Sequence, residues 1–446
     1  MKKSFRKVLS LFLSVLMLLS CCVFAQAKEV SSPMFQKTKE VKPLTSEDFL
    51  HTKGTDIVNA KGEKVFLRGV NLGAWLIWED WLCPYTGTDE NGNKVETYDN
   101  YTVLTKLEER FGQEKAYELM NTYYDNFITE QDFDNIAAMG FNCVRLPFWF
   151  RNFYYDDNGT KILDENGEWD FSRLDWAVEK CRERGLYVIL DMHGAVGYQS
   201  DAPHNGKAGS HGIYAQTKQG ERYRELTDEL WTAIADRFKD EPAVAMYDLL
   251  NEPMCDVNTT EVSRRVNNEY IYSHLYKTVR KADKKHIITM ECIWTAAALP
   301  HAFMKGWTNV VYQLHFYQTS DFIFNLFVYL TRLYFLDVPL IMGEFYPHDK
   351  TTWNNCFNTM EDCNVNWLLW TYKATNEWMT NSDWCLACNK DWKVERANID
   401  TDSFETIKAK WSDPVRTENY QSSGHYEKNI NQRLEAKIPN APTLGC

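Results

Sequence analysis

Eight short, almost uninterrupted apolar segments, separated by longer stretches of helical period, restrict the fold of this chain more than any other feature. They read VFLRGVNL (65–72), NCVRLPF (142–148), YVILDMH (187–193), VAMYDLLN (244–251), HIITMEC (286–292), VVYQLHF (310–316), PLIMGEF (339–345) and NWLLWTY (366–372). A strand with one wet face alternates apolar and polar residues. A run that stays apolar suits a strand covered on both faces, as parallel strands are. The intervening segments carry helix punctuation. TEQDFDNIAAMG (129–140) opens with Thr129 and Asp132 in capping-box spacing and stops at Gly140. FSRLDWAVEKCRERG (171–185) ends at Gly185 after three late basic residues, which suit the negative end of a helix dipole. Segments 221–240 and 261–285 are longer amphipathic runs. Eight strands with a helix after most of them is the number that closes a barrel, so the expected fold class is α/β, a (β/α)8 TIM barrel in a single catalytic domain. Residues 320–337 are strongly apolar but are broken by Asp321, Asn325 and Arg332, so a core-facing helix is expected there rather than a membrane span.

The ends of the chain read differently. Lys2, Lys3, Arg6 and Lys7 precede the apolar run VLSLFLSVLMLL, and Ala25-Gln26-Ala27 supplies a small-x-small site. Residues 1–27 are therefore expected to be a secretory signal peptide, making the product secreted. LLSC (18–21) resembles a bacterial lipobox, an alternative that would leave Cys21 lipidated and the protein held at a membrane. Residues 28–50 form a polar leader, 51–412 the barrel domain, and 413–446 a polar tail expected to pack on or near the barrel. The net charge of −13 disfavours nucleic acid or an anionic membrane as partner, and a monomer is expected. Export permits disulfides. Cys143 and Cys181 are expected to be buried thiols, and Cys385-x-x-Cys388 a loop disulfide or a thiol pair, since no second CxxC or paired His follows at zinc spacing.

In such barrels active sites gather at the carboxyl ends of the strands. Those ends carry Asn71, Arg145, His193, Asn251 with Glu252, His315 with Tyr317, Glu344 and Trp370. The strand interiors read as Val, Ile, Leu and Met. Singly, each polar end has a structural reading: Arg145 an ion pair, His193 a satisfied core histidine, Trp370 packing. Together they form a polar, aromatic set that a barrel does not need for stability. Glu252 and Glu344 end two different strands, and two carboxyls facing across a pocket are what glycosidic bond cleavage requires, one to protonate the leaving oxygen and one to attack the anomeric carbon. No GxSxG nucleophile elbow is present, which disfavours an acyl hydrolase.

From about residue 55 to 410 the chain resembles the family 5 glycoside hydrolases. LLNEP and IMGEF match that family's two catalytic segments, and VRLPF, LDMHG, LHFY and LLWTY match its other strand ends in the correct order. The resemblance implies Glu252 as acid/base and Glu344 as nucleophile of a retaining mechanism. It also implies Arg145, His193, Asn251, His315, Tyr317 and Trp370 as the substrate-binding shell, with no metal or other cofactor. RGVNLGAWLIWEDWL (68–82) is similar to the opening of the exo-β-1,3-glucanases of that family, whose NLGxWL is followed by a glutamate that binds the terminal glucose; Glu79 stands at that position. A loop carboxylate beside Asp80 is the alternative reading of Glu79. HGAVGYQ (193–199) also resembles that subgroup, whereas its continuation SDAPHNGKAGSHG (200–212) departs from it. The expected activity is thus a secreted retaining β-glucan hydrolase acting on a β-glucan polysaccharide or oligosaccharide, with exo-β-1,3-glucanase, endo-β-1,4-glucanase and an inactive carbohydrate-binding barrel as the competing forms.

Overall fold

The structure is a computed structural model that describes residues 42–88, 91–95, 98–254, 260–293, 295–317, 320–347, 352–375, 384–389 and 393–435. The expected signal peptide, Cys21 and most of the leader lie outside these residues. Eight strands close a barrel in chain order: β1 (Arg68–Asn71), β2 (Cys143–Trp149), β3 (Tyr187–Gly194), β4 (Val244–Asp248), β5 (Ile287–Ile293), β6 (Val310–His315), β7 (Leu340–Phe345) and β8 (Val365–Leu369). All eight fall on the segments expected from apolar runs, and every neighbouring pair around the ring is parallel. Every residue of all eight strands is buried. That is why the runs are mostly apolar: neither face of a strand meets water.

Side chains from seven of the strands, with Leu67 just before β1, fill the lower barrel. Cys143, Ile189, Met246, Ile287, Val311, Ile341 and Leu368 are each fully buried there. A short hairpin, His51–Lys53 with Asp56–Val58, closes this end, inserting Leu50 and Ile57 beneath the same cluster. The opposite, carboxyl end is left for chemistry.

The helices lie where expected but with two additions. After β1 come α1 (Asn100–Phe111) and α2 (Gln113–Phe127), a helical pair that the strand-based reading did not anticipate. Then α3 (Glu130–Met139) starts on the expected Thr129–Asp132 capping box and stops at Gly140 in the left-handed region. The remaining large helices are α4 (Ser172–Glu183), α5 (Lys218–Phe238), α6 (Glu261–Ala282), α7 (Asp321–Tyr334) and α8 (Trp353–Asp362). Helix α7 departs from the expected core-facing role over half its surface. Phe324 and Val328 are buried, but Phe322, Ile323, Leu326, Leu330 and Leu333 are exposed. A helix can present only one stripe to the barrel, and this sequence is apolar around most of its circumference. Among the described residues no helix is long and apolar enough to cross a membrane.

The described part of the tail, residues 413–435, is hydrogen-bonded to the barrel domain. Buried Lys373, just after β8, donates to the Val415 carbonyl and the Thr417 hydroxyl, each at 2.8 Å. Tyr426 donates to the Met139 carbonyl at the end of α3 (2.8 Å). Cys143 and Cys181 are buried thiols, and Cys385 and Cys388 are buried side by side with their side chains hydrogen-bonded.

Candidate active site

Parallel register brings the polar strand residues together. It places Asn71 beside Arg145, Asp191 beside Asp248, Glu291 beside Gln313 and His315 beside Glu344. A carboxylate oxygen of Glu252, a ring nitrogen of His315 and a carboxylate oxygen of Glu344 all lie within 4.8 Å of one another. Glu252 and Glu344, far apart in the chain, thus meet at the expected end of the barrel. Glu344 arrives there as the fifth residue of β7. Glu252 follows β4 on a tight loop in which both it and Met254 adopt positive φ, 40° and 59°. Its backbone N–H is anchored by Glu291 Oε2 at 2.6 Å.

Glu344 is held from two sides. Arg145 Nη1 donates to Oε1 (2.7 Å) and the Tyr317 hydroxyl donates to Oε2 (2.8 Å). Burial pushes this carboxyl up, but His315 and Arg145 reverse the effect and keep it below the ordinary carboxylate range. Its charged form is thus favoured in spite of burial.

Glu252 is gripped by two imidazoles. His315 Nδ1 lies 2.8 Å from Oε1 and His204 Nε2 lies 3.3 Å from Oε2. Burial again opposes the charge, and His204 and His315 more than offset it, so the carboxyl falls below its ordinary range. Imidazoles on both oxygens thus favour its charged form in the free site.

Arg145 is the hub. Besides Glu344 its fully buried guanidinium reaches Asp248 Oδ2 (2.9 Å), Glu291 Oε1 (3.0 Å) and Asp191 Oδ2 (3.0 Å), and it donates to Asn251 Oδ1 at 2.8 Å. One positive charge cannot neutralise so many carboxylates. Burial accordingly pushes Asp191 and Asp248 up to about 7 each and Glu291 well above its ordinary value. Gln313 bridges two of them, donating to Asp248 Oδ2 and Glu291 Oε1 at 2.6 Å each. A Cβ at Gly343 would collide with this Gln313 amide, so β7 needs glycine one residue before its glutamate. These four residues correct the expectation of purely aliphatic strand interiors. Their signal was available: a polar residue inside a run buried on both faces demands a partner, and Asp191 shares a strand face with His193.

The other expected site residues take their places around the pair. His193 Nδ1 lies 2.7 Å from Asp191 Oδ2, and its ring is stacked on Trp370, centroids 5.5 Å apart and planes within 11°. Asn251 projects from the same loop as Glu252 and is buried. Glu79 belongs to the extension after β1, whose Trp75 and Trp78 are each 1% exposed. Each such aromatic buries about 150–250 Å², worth roughly 4–6 kcal/mol at about 25 cal/mol per Å². These anchors hold the extension down while Glu79 stays half-buried and accepts from Trp81 Nε1 at 2.6 Å. Burial pushes Glu79 up to about 8, and the charges of Glu344 and Glu252 add to the rise. It therefore feels the charges of Glu344 and Glu252. His204 is the residue at the site that motif reading passed over. It lies in the loop 200–212 that departs from the resemblance.

A closed eight-stranded parallel barrel with two facing carboxyls at its carboxyl end defines the class as a TIM barrel built like a glycosidase. A family model described as Cellulase (glycosyl hydrolase family 5) matches residues 88–376, and the chain belongs to that family. Among curated relatives it is similar to a beta-xylosidase of Phanerodontia chrysosporium, 29% identical over 61% of this chain and 53% of that protein. It is also similar to a probable glucan 1,3-beta-glucosidase A of Emericella nidulans, 32% identical over 58% of each chain. The matches thus span little more than half the length of these relatives. Among solved structures, "Crystal structure of AoRut" aligns at TM-score 0.55 with 16% identity, over 70% of this chain and 89% of that one. An endogalactoceramidase aligns at 0.52 with 18% identity, over 73% and 75%. Both share the fold.

Proposed function

We propose that the chain is a secreted, monomeric retaining β-glucan hydrolase of exo-β-1,3-glucanase type. The observation that carries the retaining mechanism is the approach of one oxygen each of Glu252 and Glu344 to within 4.8 Å. Retaining glycosidases separate their carboxyls by about 5–5.5 Å, whereas inverting ones leave a wider gap for a water molecule. Glu344, kept charged by His315, Arg145 and Tyr317, attacks the anomeric carbon while Glu252, ionised in the free site, takes up a proton with the substrate and gives it to the departing oxygen. Glu252 then takes a proton from the water that releases the sugar from Glu344. Asn251 is placed to bind the sugar 2-hydroxyl, and Trp370 to stack beneath the ring. The names of the relatives support a β-glucoside or β-xyloside as substrate, and Glu79 favours a terminal glucose. Secretion rests on the composition of residues 1–27.

Products from laminarin, lichenan, carboxymethyl-cellulose and xylobiose decide the specificity. Glucose alone from laminarin is the expected result. Mixed oligosaccharides from the cellulose derivative would mean an endo-β-1,4-glucanase instead, and turnover of xylobiose alone a xylosidase. Proton NMR of the first products should show the β-anomer, with the α-anomer rising only by mutarotation. Initial α-anomer would refute the double displacement.

A further inference from the structure

The two oxygens of Glu252 are not equivalent. Oε1 is the one on His315 Nδ1, and that same nitrogen lies 3.5 Å from Glu344 Oε2. Oε1 therefore faces the nucleophile. Oε2 has His204 Nε2 as its neighbour at 3.3 Å instead. A proton donor for the glycosidic oxygen has to point away from the nucleophile, toward the leaving group, so Oε2 is the oxygen that meets it. The His204 side chain is about one-fifth exposed, with 19% of its surface accessible, so it is reachable from solvent.

The loop that carries His204 is firmly braced, which is what a fixed contact to Glu252 requires. Gln199, fully buried, donates to the carbonyls of His193 (2.7 Å) and Asn251 (2.9 Å), and its own carbonyl accepts from Met254 N at 2.8 Å. The loop bearing His204 and the loop bearing Glu252 are thus sewn together. Farther along, Ala208 N donates to Asp99 Oδ2 (2.7 Å), and the Gly206 carbonyl accepts from Tyr101 N (2.8 Å). A Cβ at Gly194 would collide with the Asn205 carbonyl, and one at Gly206 would come within 2.7 Å of Trp149 Nε1. The turn that presents His204 is packed this closely against β2 and β3.

Resting on the retaining reading of Glu252 and Glu344, we propose that His204 is a positioning residue for the acid/base, specific to the leaving-group side. As the bond from the anomeric carbon to the glycosidic oxygen breaks, Glu344 forms the new bond to that carbon and the proton on Glu252 Oε2 passes to the departing oxygen. The charge left on Oε2 then accepts from His204 Nε2–H. That contact is strongest when Glu252 has lost its proton, so it lowers the barrier only for leaving groups that need a proton.

The test compares kcat/KM on laminaribiose, whose sugar leaving group needs the proton, with kcat/KM on 2,4-dinitrophenyl β-glucoside, whose leaving group does not. His204→Ala should lose about tenfold more on laminaribiose than on the dinitrophenyl glucoside, as expected for one hydrogen bond to a charged group. His204→Gln, whose amide again offers an N–H, should recover most of the difference. An equal loss on both substrates, or no recovery with glutamine, overturns the assignment of His204. Wild-type protein inert toward both glycosides overturns the hydrolase reading and this proposal with it. Both variants are first required to match the wild type in circular dichroism and thermal unfolding, so that an equal loss reports on the site and not on folding.

Discussion

Replacing Arg145 by methionine removes the only guanidinium among Asp191, Asp248, Glu291 and Glu344 while keeping a side chain of comparable length. Removing one partner from a buried ion network costs about 3–5 kcal/mol, and here the cost must depend on pH. Asp191 and Asp248 sit at about 7 against an ordinary 3.8. At about 1.36 kcal/mol per pH unit, each already lowers wild-type stability by roughly 4 kcal/mol once both are ionised. Because their folded-state values are raised, the folded protein binds more protons than the unfolded chain between pH 4 and 7, and stability falls through that window as pH rises. Burial is what raises both groups, and Arg145 restrains them. Without it their values climb higher, so the loss of stability continues above pH 7 in the variant after it has ended in the wild type. The difference between the two proteins should therefore be smallest at about pH 5.5 and widen at about pH 8.5. Urea unfolding followed by tryptophan fluorescence at both pH values measures it. A difference that is the same at both, or greater in acid, would refute the view that Arg145 balances buried carboxylates. The acid limb of kcat/KM should also move to higher pH in this variant, since Arg145 helps keep Glu344 ionised.

Glu344→Ala should abolish turnover on every substrate. Glu252→Ala should still form the glycosyl-enzyme from 2,4-dinitrophenyl β-glucoside, whose leaving group needs no acid, and azide should then release a β-glycosyl azide; equal loss in both variants before deglycosylation limits the rate would reverse the assignment. Glu79, pushed up to about 8 by burial, is neutral at pH 6, so Glu79→Gln should alter kcat/KM on laminaribiose only modestly there and more above pH 8. Glu79→Ala, which removes the hydrogen-bonding group, should cost about two- to tenfold at either pH. A loop carboxylate that touches no sugar would leave all these values unchanged.

Which segments become strands, which end of each points at the site and which two glutamates face one another were all legible in the sequence. The physical reason is that strands buried on both faces must be apolar, and a polar residue is tolerated only where it is paired or where the strand runs out. The capping box at Thr129, the stop at Gly140 and the tryptophans that pin the extension before Glu79 are likewise local chemistry, carried by neighbours in the chain. What only the tertiary structure decided is where charge goes. Asp191, Asp248, Glu291 and Gln313 look like isolated interruptions of four separate strands, and they become one network only when closure of the barrel sets them around Arg145. The charge on Glu252 is set in the same way. Its state depends on His315 and His204, which lie 63 residues downstream and 48 upstream and whose distances to its two oxygens no pattern along the chain encodes. Sequence spacing controls which face of a strand a residue occupies, whereas pKa values and hydrogen bonds depend on separations in space of a few ångströms, and these exist only once all eight strands are in register.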